Sequence, residues 1–305
     1  MYNKEYLIDY YSKSATILTF PPENVRIKGI IVLVHGMCER KERYSHILEI
    51  LSRNGFICVI SDLRGHGERT YHGERGYFGK NGDKKFVEDL QKLISTLKKD
   101  FPELPLILFG HSMGSLIVRS YLKMHPDSIR MLIVCGCPSN NRAAPLGKLL
   151  IRMRAVTKGW HYRSKFIKNL VTGSFDKPFK QEGIENAWLS TDPAVAEKYN
   201  SDDTCGFNFT LNGYYCLLNL MINVYSPKGW TVKTPNMPIH FISGGDDPCR
   251  VNDDKFYEAV QFLETVGYNN VTSNLYVGKR HELFNETNHL EIVEDLLAII
   301  NQYIK

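Results

Sequence analysis

The chain has 305 residues, of which 43% are hydrophobic and 23% charged, and its formal net charge is +5 at pH 7. This composition is typical of a globular protein that can bury a large core, as one domain or as one domain with an insertion. So mild a positive charge does not by itself indicate a nucleic-acid-binding protein.

The first twenty residues, MYNKEYLIDYYSKSATILTF, have Lys and Asp among their apolar residues and lack the apolar core of a signal peptide. No apolar run approaches the length of about 20 residues that a membrane-spanning helix needs. The seven cysteines are scattered without a C-x-x-C pair, which argues against zinc or disulfides and for reduced core residues. We therefore expect a cytoplasmic protein with neither a metal nor a cofactor.

Short apolar runs alternate with helical patterns along most of the chain, which predicts an α/β fold with a mostly parallel sheet covered on both faces. In such sheets ligands bind beyond the carboxyl ends of the strands, and the polar clusters of this chain follow strand ends. The last helix begins near Asn288 with Glu291 as capping partner. Its predicted inner face is Leu290, Val293, Leu296, Leu297 and Ile300. The strands are predicted at 30–34, 56–60, 106–109, 131–135, 239–242 and 273–277, and two earlier helices at 43–53 and 86–97.

The alternation stops between about Ser139 and Trp230, where helical patterns, loops and aromatic residues occur without strands. We interpret residues 139–230 as an inserted lid over the strand ends, and residues 1–138 with 231–305 as the core. Between Ser139 and Lys180 there are ten Lys or Arg residues and one acid, Asp176. This stretch is either a basic amphipathic surface that contacts anionic lipid or an ordinary solvated helix face.

The sequence LILFGHSMGSLIVRSYL places Ser112 between a short apolar run and a helical pattern, with Gly110 and Gly114 two residues away on either side. A sharp strand-to-helix turn strains the backbone of its apical residue and brings strand and helix so close that these two positions must be small. By itself a G-x-S-x-G pattern arises often by chance, and a serine at a helix start is often only an N-cap. The context favours a nucleophile, which needs a base and an orienting acid.

In the doubly wound hydrolases the chain order is serine, acid, histidine. The segment SGGDDP places Asp246 and Asp247 just past a predicted strand; one of them is the candidate acid, and Asp247, next to the proline, is favoured. His281 is the histidine in the loop after the last predicted strand and is the candidate base. It is followed by Glu282, but no second histidine completes an H-E-x-x-H zinc motif.

The oxyanion formed in acyl transfer needs preorganised N–H donors. One is the backbone N–H of Met113, the residue after the serine. The second is expected from the loop after the strand at 30–34, where the N–H of Met37 is suitably placed.

The segments HGMCERKERY (35–44), SDLRGHGER (61–69), GHSMG (110–114), SGGDDP (243–248) and GKRHELFNE (278–286) together resemble α/β-hydrolases of the monoacylglycerol lipase and lysophospholipase type, within the serine-aminopeptidase-like hydrolases. The segment at 188–210 is similar to lids of bacterial members. The resemblance covers nearly the whole chain and implies Ser112 as nucleophile, Asp247 as acid, His281 as base, and Met37 and Met113 as oxyanion donors. The chain departs from the family pattern after RGHG, where Glu68-Arg69 replaces a small polar residue.

The resemblance implies a serine hydrolase that cleaves carboxylic esters of single-chain lipids, either monoacylglycerol or lysophospholipid, and a lid that contacts a membrane or micelle surface. A short-chain carboxylesterase is a close alternative. A peptidase or amidase with the same triad would need lid carboxylates to hold an amino terminus, with candidates at Glu182, Glu185, Asp192 and Asp202. A non-catalytic ligand-binding protein that kept the fold is the third possibility.

Overall fold

The structure is a computed structural model that describes residues 15–70 and 72–304. The strands are β1 Thr16–Thr19, β2 Gly29–Val34, β3 Phe56–Ser61, β4 Leu106–His111, β5 Met131–Cys135, β6 Ile239–Gly244 and β7 Val271–Tyr276. They form one sheet in the order β1-β3-β2-β4-β5-β6-β7. β1 pairs antiparallel with β3, and every other neighbouring pair is parallel. The predicted α/β architecture is confirmed.

The helices of the described residues are α1 Ser45–Arg53, α2 Gly82–Asp100, α3 Met113–Met124, α4 Ala144–Lys158, α5 Lys165–Val171, α6 Pro193–Ser201, α7 Leu211–Val224, α8 Asp253–Thr265 and α9 His289–Tyr303. Single 3-10 turns lie at Lys41–Tyr44, Lys177–Glu182, Ala187–Leu189, Pro248–Arg250 and Leu283–Asn285. The sequence does not predict β1 or α8, and α2 is longer at both ends than expected.

Alternate residues of the buried strands face two separate hydrophobic clusters, as a sheet covered on both faces requires. In β2, Val32 packs with α2, α3 and α7, whereas Leu33 packs with α1 and α9. The predicted inner face of α9 is correct from Val293 onward, but Leu290 is 54% exposed, and Ile292, which is not in the predicted face, is the buried residue of the first turn. Glu291 does contact the N-cap residue, since the Asn288 amide donates to its carboxylate at 2.9 Å.

Residues 139–230 connect β5 to β6 through four helices, α4 to α7, and contain no strand among these residues, all of which the structure describes. α7 packs against α3, and its side chains Leu211, Tyr214 and Leu217 belong to the same hydrophobic cluster as the sheet. α4 packs on α7 farther from the sheet. The connection therefore has one helix, α7, that contributes many side chains to the core, whereas α4 and α5 contribute only a few, among them Ile151 and Ile167.

All seven cysteines are buried and free, as expected for reduced core residues. Within the described part of the chain, no helix is both long enough and apolar enough to cross a membrane. The expectation about a signal peptide concerns the first twenty residues, of which residues 1–14 lie outside the described part. The cytoplasmic location stays a prediction.

Candidate active site

Ser112 lies at a sharp turn between β4 and α3, with φ 53° and ψ −119°. This left-handed conformation is rare for a non-glycine residue and marks a strained position. A Cβ atom at Gly110 would lie 2.6 Å from the carbonyl oxygen of Gly114, and one at Gly114 would lie 2.1 Å from the carbonyl oxygen of Val34. The two glycines are therefore required by the close approach of strand and helix, as the sequence pattern predicts.

The structure brings Asp247 and His281 together in the interior. Nδ1 of His281 lies 2.9 Å from Oδ2 of Asp247, and the two residues are 1% and 2% exposed. The other carboxylate oxygen accepts the backbone N–H of Cys249 at 2.8 Å, and the Ser243 hydroxyl donates to Oδ2 at 3.1 Å. Burial alone would raise the pKa of Asp247, but the charge and hydrogen bond of His281 outweigh it and lower the pKa. Asp246 is exposed and does not contact His281 in the described structure.

Ser112 and His281 line the same cavity, although no hydrogen bond joins their side chains in the described structure. Nε2 of His281 lies 4.0 Å from the Sγ atom of Cys249, and the ring packs against Trp188 with centroids 4.8 Å apart. Hydrogen bonds between a nucleophile and its base are often loose in free enzymes and shorten when substrate binds. The Asp247 contact engages Nδ1, so Nε2 is the nitrogen that remains to accept a proton from the serine.

The backbone N–H groups of Met37 and Met113 both adjoin this site. Met113 is the first residue of α3, where N–H groups have no partner inside the helix. Met37 lies in the loop after β2 and lines both cavities next to Ser112. A pair of N–H groups at such a position can bind the negatively charged oxygen of a tetrahedral intermediate.

Two cavities meet at Ser112. The larger has a volume of about 530 Å³ and is lined mainly by apolar side chains, among them Phe175, Leu217 and Met221. The smaller has a volume of about 250 Å³ and includes the polar residues Lys168 and Glu185. Thr172 and Trp188, from residues 139–230, line both of them.

Asp247, Cys249 and His281 are also the one group of described residues whose side-chain types and spacing suit a metal, with ligand atoms within 4.8 Å of one another. However, burial raises the pKa of the Cys249 thiol well above its ordinary value, whereas a metal requires the thiolate. The Asp247 contact also occupies Nδ1 of the histidine. The geometry suits a proton relay better than a metal site.

The sequence model of the family "Serine aminopeptidase, S33" matches residues 25–288 of the chain. The chain belongs to this family. It is similar to a monoacylglycerol lipase of Mycolicibacterium smegmatis, with 25% identity over 91% of this chain and 89% of that protein. It is also similar to a phospholipase of Bacillus subtilis, with 23% identity over 90% of this chain and 96% of the other. The predicted family is confirmed.

Solved structures agree with the sequence comparison. A carboxyl esterase from Bacillus coagulans in complex with glycerol superimposes with a TM-score of 0.85, at 26% identity, covering 95% of this chain and 94% of that one. A monoacylglycerol lipase of Paleococcus ferrophilus, at 21% identity and a TM-score of 0.66, shares the fold over 93% of this chain and 98% of the other. The chain is an esterase or lipase with the α/β-hydrolase fold, and the predicted class of carboxylic ester hydrolase is confirmed.

Proposed function

We propose that this protein hydrolyses carboxylic esters of single-chain lipids, monoacylglycerol or lysophospholipid, through an acyl-enzyme intermediate. The observation that carries the proposal is the position of Ser112 at the junction of a larger, mainly apolar cavity and a smaller, more polar one, beside the buried Asp247–His281 pair. A carboxylic ester of a fatty acid has an apolar acyl part and a polar alcohol part, which match the two cavities.

In the proposed mechanism the Ser112 hydroxyl attacks the ester carbonyl carbon while Nε2 of His281 takes its proton. Asp247 keeps Nδ1 protonated and stabilises the imidazolium, and the N–H groups of Met37 and Met113 bind the oxyanion. The intermediate expels the alcohol, which receives the proton from His281, and leaves the acyl group on Ser112. Water, deprotonated by His281, then releases the fatty acid and restores the serine.

Residues 139–230 act as the lid in this proposal, because their side chains Val171, Phe175 and Leu217 form much of the wall of the larger cavity. The acyl chain occupies this cavity, and the alcohol part occupies the smaller one. Of the four candidate carboxylates that could hold an amino terminus in a peptidase, only Glu185 lines a cavity with Ser112. Glu182 is paired with Arg280, Asp202 with Arg40, and Asp192 caps α6, so these contacts do not favour an aminopeptidase.

The lid also carries an outward-facing apolar row. Leu146, Leu149, Met153 and Val156 occupy one face of α4 and are between 53% and 88% exposed. Large exposed apolar surfaces mark interaction sites, and the ten cations among residues 139–180 favour an anionic lipid surface over a solvated face. We include contact of α4 with an anionic lipid surface in the proposed function.

The function is tested by fatty-acid release from monooleoylglycerol and from oleoyl lysophosphatidylcholine, measured side by side with Ser112→Ala as the blank. Faster release from the glycerol ester identifies a monoacylglycerol lipase, and faster release from the phospholipid a lysophospholipase. Turnover of p-nitrophenyl butyrate alone would instead support a short-chain carboxylesterase. If wild type and Ser112→Ala do not differ on any of the three esters, the proposal is wrong and a non-catalytic binding protein is favoured.

A further inference from the structure

A group of buried polar side chains adjoins the candidate site, and three of its members line the smaller cavity, but the group has no part in the proposed mechanism. We call it the Glu39 network; it consists of Glu39, Arg43, Tyr44, His111 and Glu282. Glu39, Tyr44, His111 and Glu282 are each between 3% and 6% exposed, and the Arg43 side chain is 10% exposed. Charged side chains are seldom buried unless they are paired, so these contacts require an explanation.

Glu39 holds the loop that follows β2. The backbone N–H of Gly36, the residue before Met37, donates to Oε1 of Glu39 at 2.5 Å. The Tyr44 hydroxyl donates to the same oxygen at 3.0 Å, and Oε2 lies 3.4 Å from the Nε atom of Arg43. The carboxylate therefore fixes the peptide that precedes the Met37 N–H donor.

His111 connects the turn of the nucleophile to the loop of the base. It is the residue before Ser112, and its Nε2 lies 3.2 Å from the backbone carbonyl of His281, which accepts. Its Nδ1 lies 3.3 Å from Oε1 of Glu39 and 3.0 Å from the Tyr44 hydroxyl, whose own proton goes to Glu39. Both ring nitrogens thus face acceptors, which is the environment of a charged imidazolium.

Arg43 completes the connection on the other side of the base. Its guanidinium donates to Oε2 of Glu282, the residue after His281, and stacks over the Tyr199 ring at 4.9 Å. The Glu282 N–H in turn donates to the carbonyl of Leu189 at 2.7 Å. The Glu39 network therefore reaches three parts of the candidate site. Glu39 bonds to the residue before Met37, and Glu282 is the residue after His281. His111 is the residue before Ser112 and bonds to the His281 carbonyl.

We propose that Glu39 and His111 are positioning residues: as a charged pair they hold the oxyanion loop, the Ser112 turn and the His281 loop in one fixed arrangement. This inference rests on the proposed function, because it concerns the same reaction. Neither side chain is a proton carrier in it. Loss of the charge on either partner loosens the three groups together, which lowers kcat far more than substrate affinity.

The Glu39–His111 pair is charged only over a defined range of pH. Burial lowers the pKa of His111, but the hydrogen bond and charge of Glu39 outweigh it and place the pKa above its ordinary value. Burial raises the pKa of Glu39, and the hydrogen bond and charge of His111 together with the charge of Arg43 outweigh it. Glu282 adds negative charge near His111, and burial keeps Tyr44 neutral. The titratable ring of His281 also faces His111, with ring centroids 4.6 Å apart. The charged pair therefore exists below the pKa of His111 and is lost as the pH rises through it.

The experiment measures kcat and KM for p-nitrophenyl butyrate from pH 5 to pH 10 in wild type and in Glu39→Gln. The variant keeps an acceptor oxygen but no charge. We expect kcat to fall at least about tenfold with KM within about threefold, and the alkaline limb of kcat to move down by about one pH unit. In His111→Gln the side chain has an amide donor that cannot titrate. We therefore expect the alkaline fall of kcat that is due to deprotonation of His111 to disappear.

Asp89→Asn is the matched control, because Asp89 is a buried carboxylate of α2 that pairs with Arg64 and Arg69 and is not in the lining of either cavity at Ser112. It is expected to lower the melting temperature without changing the pH profile.

Tyr44→Phe replaces Glu39→Gln in the experiment if Glu39→Gln does not fold. It removes one hydroxyl from the pair, and we expect a two- to fivefold loss of kcat. The proposal is overturned if the charge-removing variants keep the wild-type kcat and pH profile, or if Asp89→Asn changes both equally. Absence of any ester turnover in wild type would instead overturn the proposed function itself.

Discussion

Asp246 and Asp247 are neighbours in sequence but have different environments. Asp247 is buried and bonded to His281, whereas Asp246 faces solvent. The backbone explains the difference, because Asp247 begins the 3-10 turn at Pro248–Arg250 and its carboxylate accepts the N–H of Cys249. Sequence analysis favours Asp247 only through the adjacent proline, and the structure supplies the contact that distinguishes the two.

Asp247→Asn is expected to lower kcat by about 10³- to 10⁴-fold, because an amide cannot stabilise the imidazolium or keep the required tautomer of His281. Asp246→Asn is the control and is expected to stay within twofold of wild type. Both are measured on p-nitrophenyl butyrate at pH 8. The assignment of the acid is wrong if Asp246→Asn abolishes turnover and Asp247→Asn does not.

Lys168 is the one Lys or Arg among the described residues that line the smaller cavity with Ser112. If the alcohol part of the substrate carries a phosphate, Lys168→Met should lower kcat/KM for oleoyl lysophosphatidylcholine about fivefold, the value of a partly exposed charged contact of about 1 kcal/mol. Turnover of monooleoylglycerol, which is uncharged, should change less than twofold. Lys165→Met, on the same helix but outside the cavity lining, is the matched control. Equal losses on both lipids would exclude Lys168 as a phosphate contact.

Sequence analysis can propose candidate site residues that have a local sequence pattern. It cannot identify residues whose contacts join segments far apart in the chain. The glycines around Ser112 indicate the candidate nucleophile, and the position of His281 after the last strand indicates the candidate base. Glu39 and His111 are 72 residues apart, and Arg43 and Glu282 are 239 apart. Ion pairs over such separations leave no periodic pattern, so the Glu39 network is visible only in the folded chain.

At the scale of elements, short apolar runs predict the buried strands well, because β2 to β6 are fully buried and largely apolar. β1 has only four residues, all partly buried, and lies at the sheet edge, where the pattern is weak. α8 has a signal that sequence analysis missed: Asn252 as N-cap, followed by Phe256, Ala259, Val260 and Leu263 at helical spacing.

α4 is the element whose exposed row can be tested directly. Leu149→Glu is expected to lower the affinity for phosphatidylglycerol vesicles about tenfold, because partial burial of one leucine in the lipid contributes about 1.5 kcal/mol. The affinity is measured by co-sedimentation of the protein with the vesicles. Its kcat/KM for p-nitrophenyl butyrate should not change. Leu290→Glu on α9 is the matched control, since Leu290 is 54% exposed and Leu149 is 53% exposed. A similar loss of vesicle binding in both variants, or in neither, would contradict contact through α4.

At the scale of the whole molecule, the alternation of strands and helices was enough to predict a doubly wound sheet, because each strand and helix must bury its apolar face against a neighbour. It was not enough to predict how residues 139–230 are arranged. Their helix α7 is largely apolar and joins the core, whereas α4 exposes apolar side chains. Sequence periodicity does not distinguish a helix that packs on the sheet from one whose apolar face stays exposed, since both carry an apolar face.

The stability of the whole fold in acid depends in part on His240, which is buried on β6, next to the edge strand β7. Burial lowers its pKa to about 4, and Nε2 has no hydrogen-bond partner in the described structure. The unfolded chain, with an ordinary pKa near 6.5, binds a proton that the folded chain does not. The stability due to this difference is complete above pH 6.5 and is lost as the pH falls toward 4.

Between pH 7.5 and pH 5 this single group should lower the free energy of unfolding by about 2 kcal/mol. In His240→Leu, which has no titratable group there, the fall measured by urea denaturation at these two pH values should be smaller by that amount. Thr272→Val removes the 2.8 Å hydrogen bond to Nδ1 but keeps the imidazole, so its pH dependence should follow wild type. If His240→Leu loses as much stability as wild type over this interval, the acid sensitivity of the fold lies elsewhere, in the buried carboxylates that must take up protons to unfold.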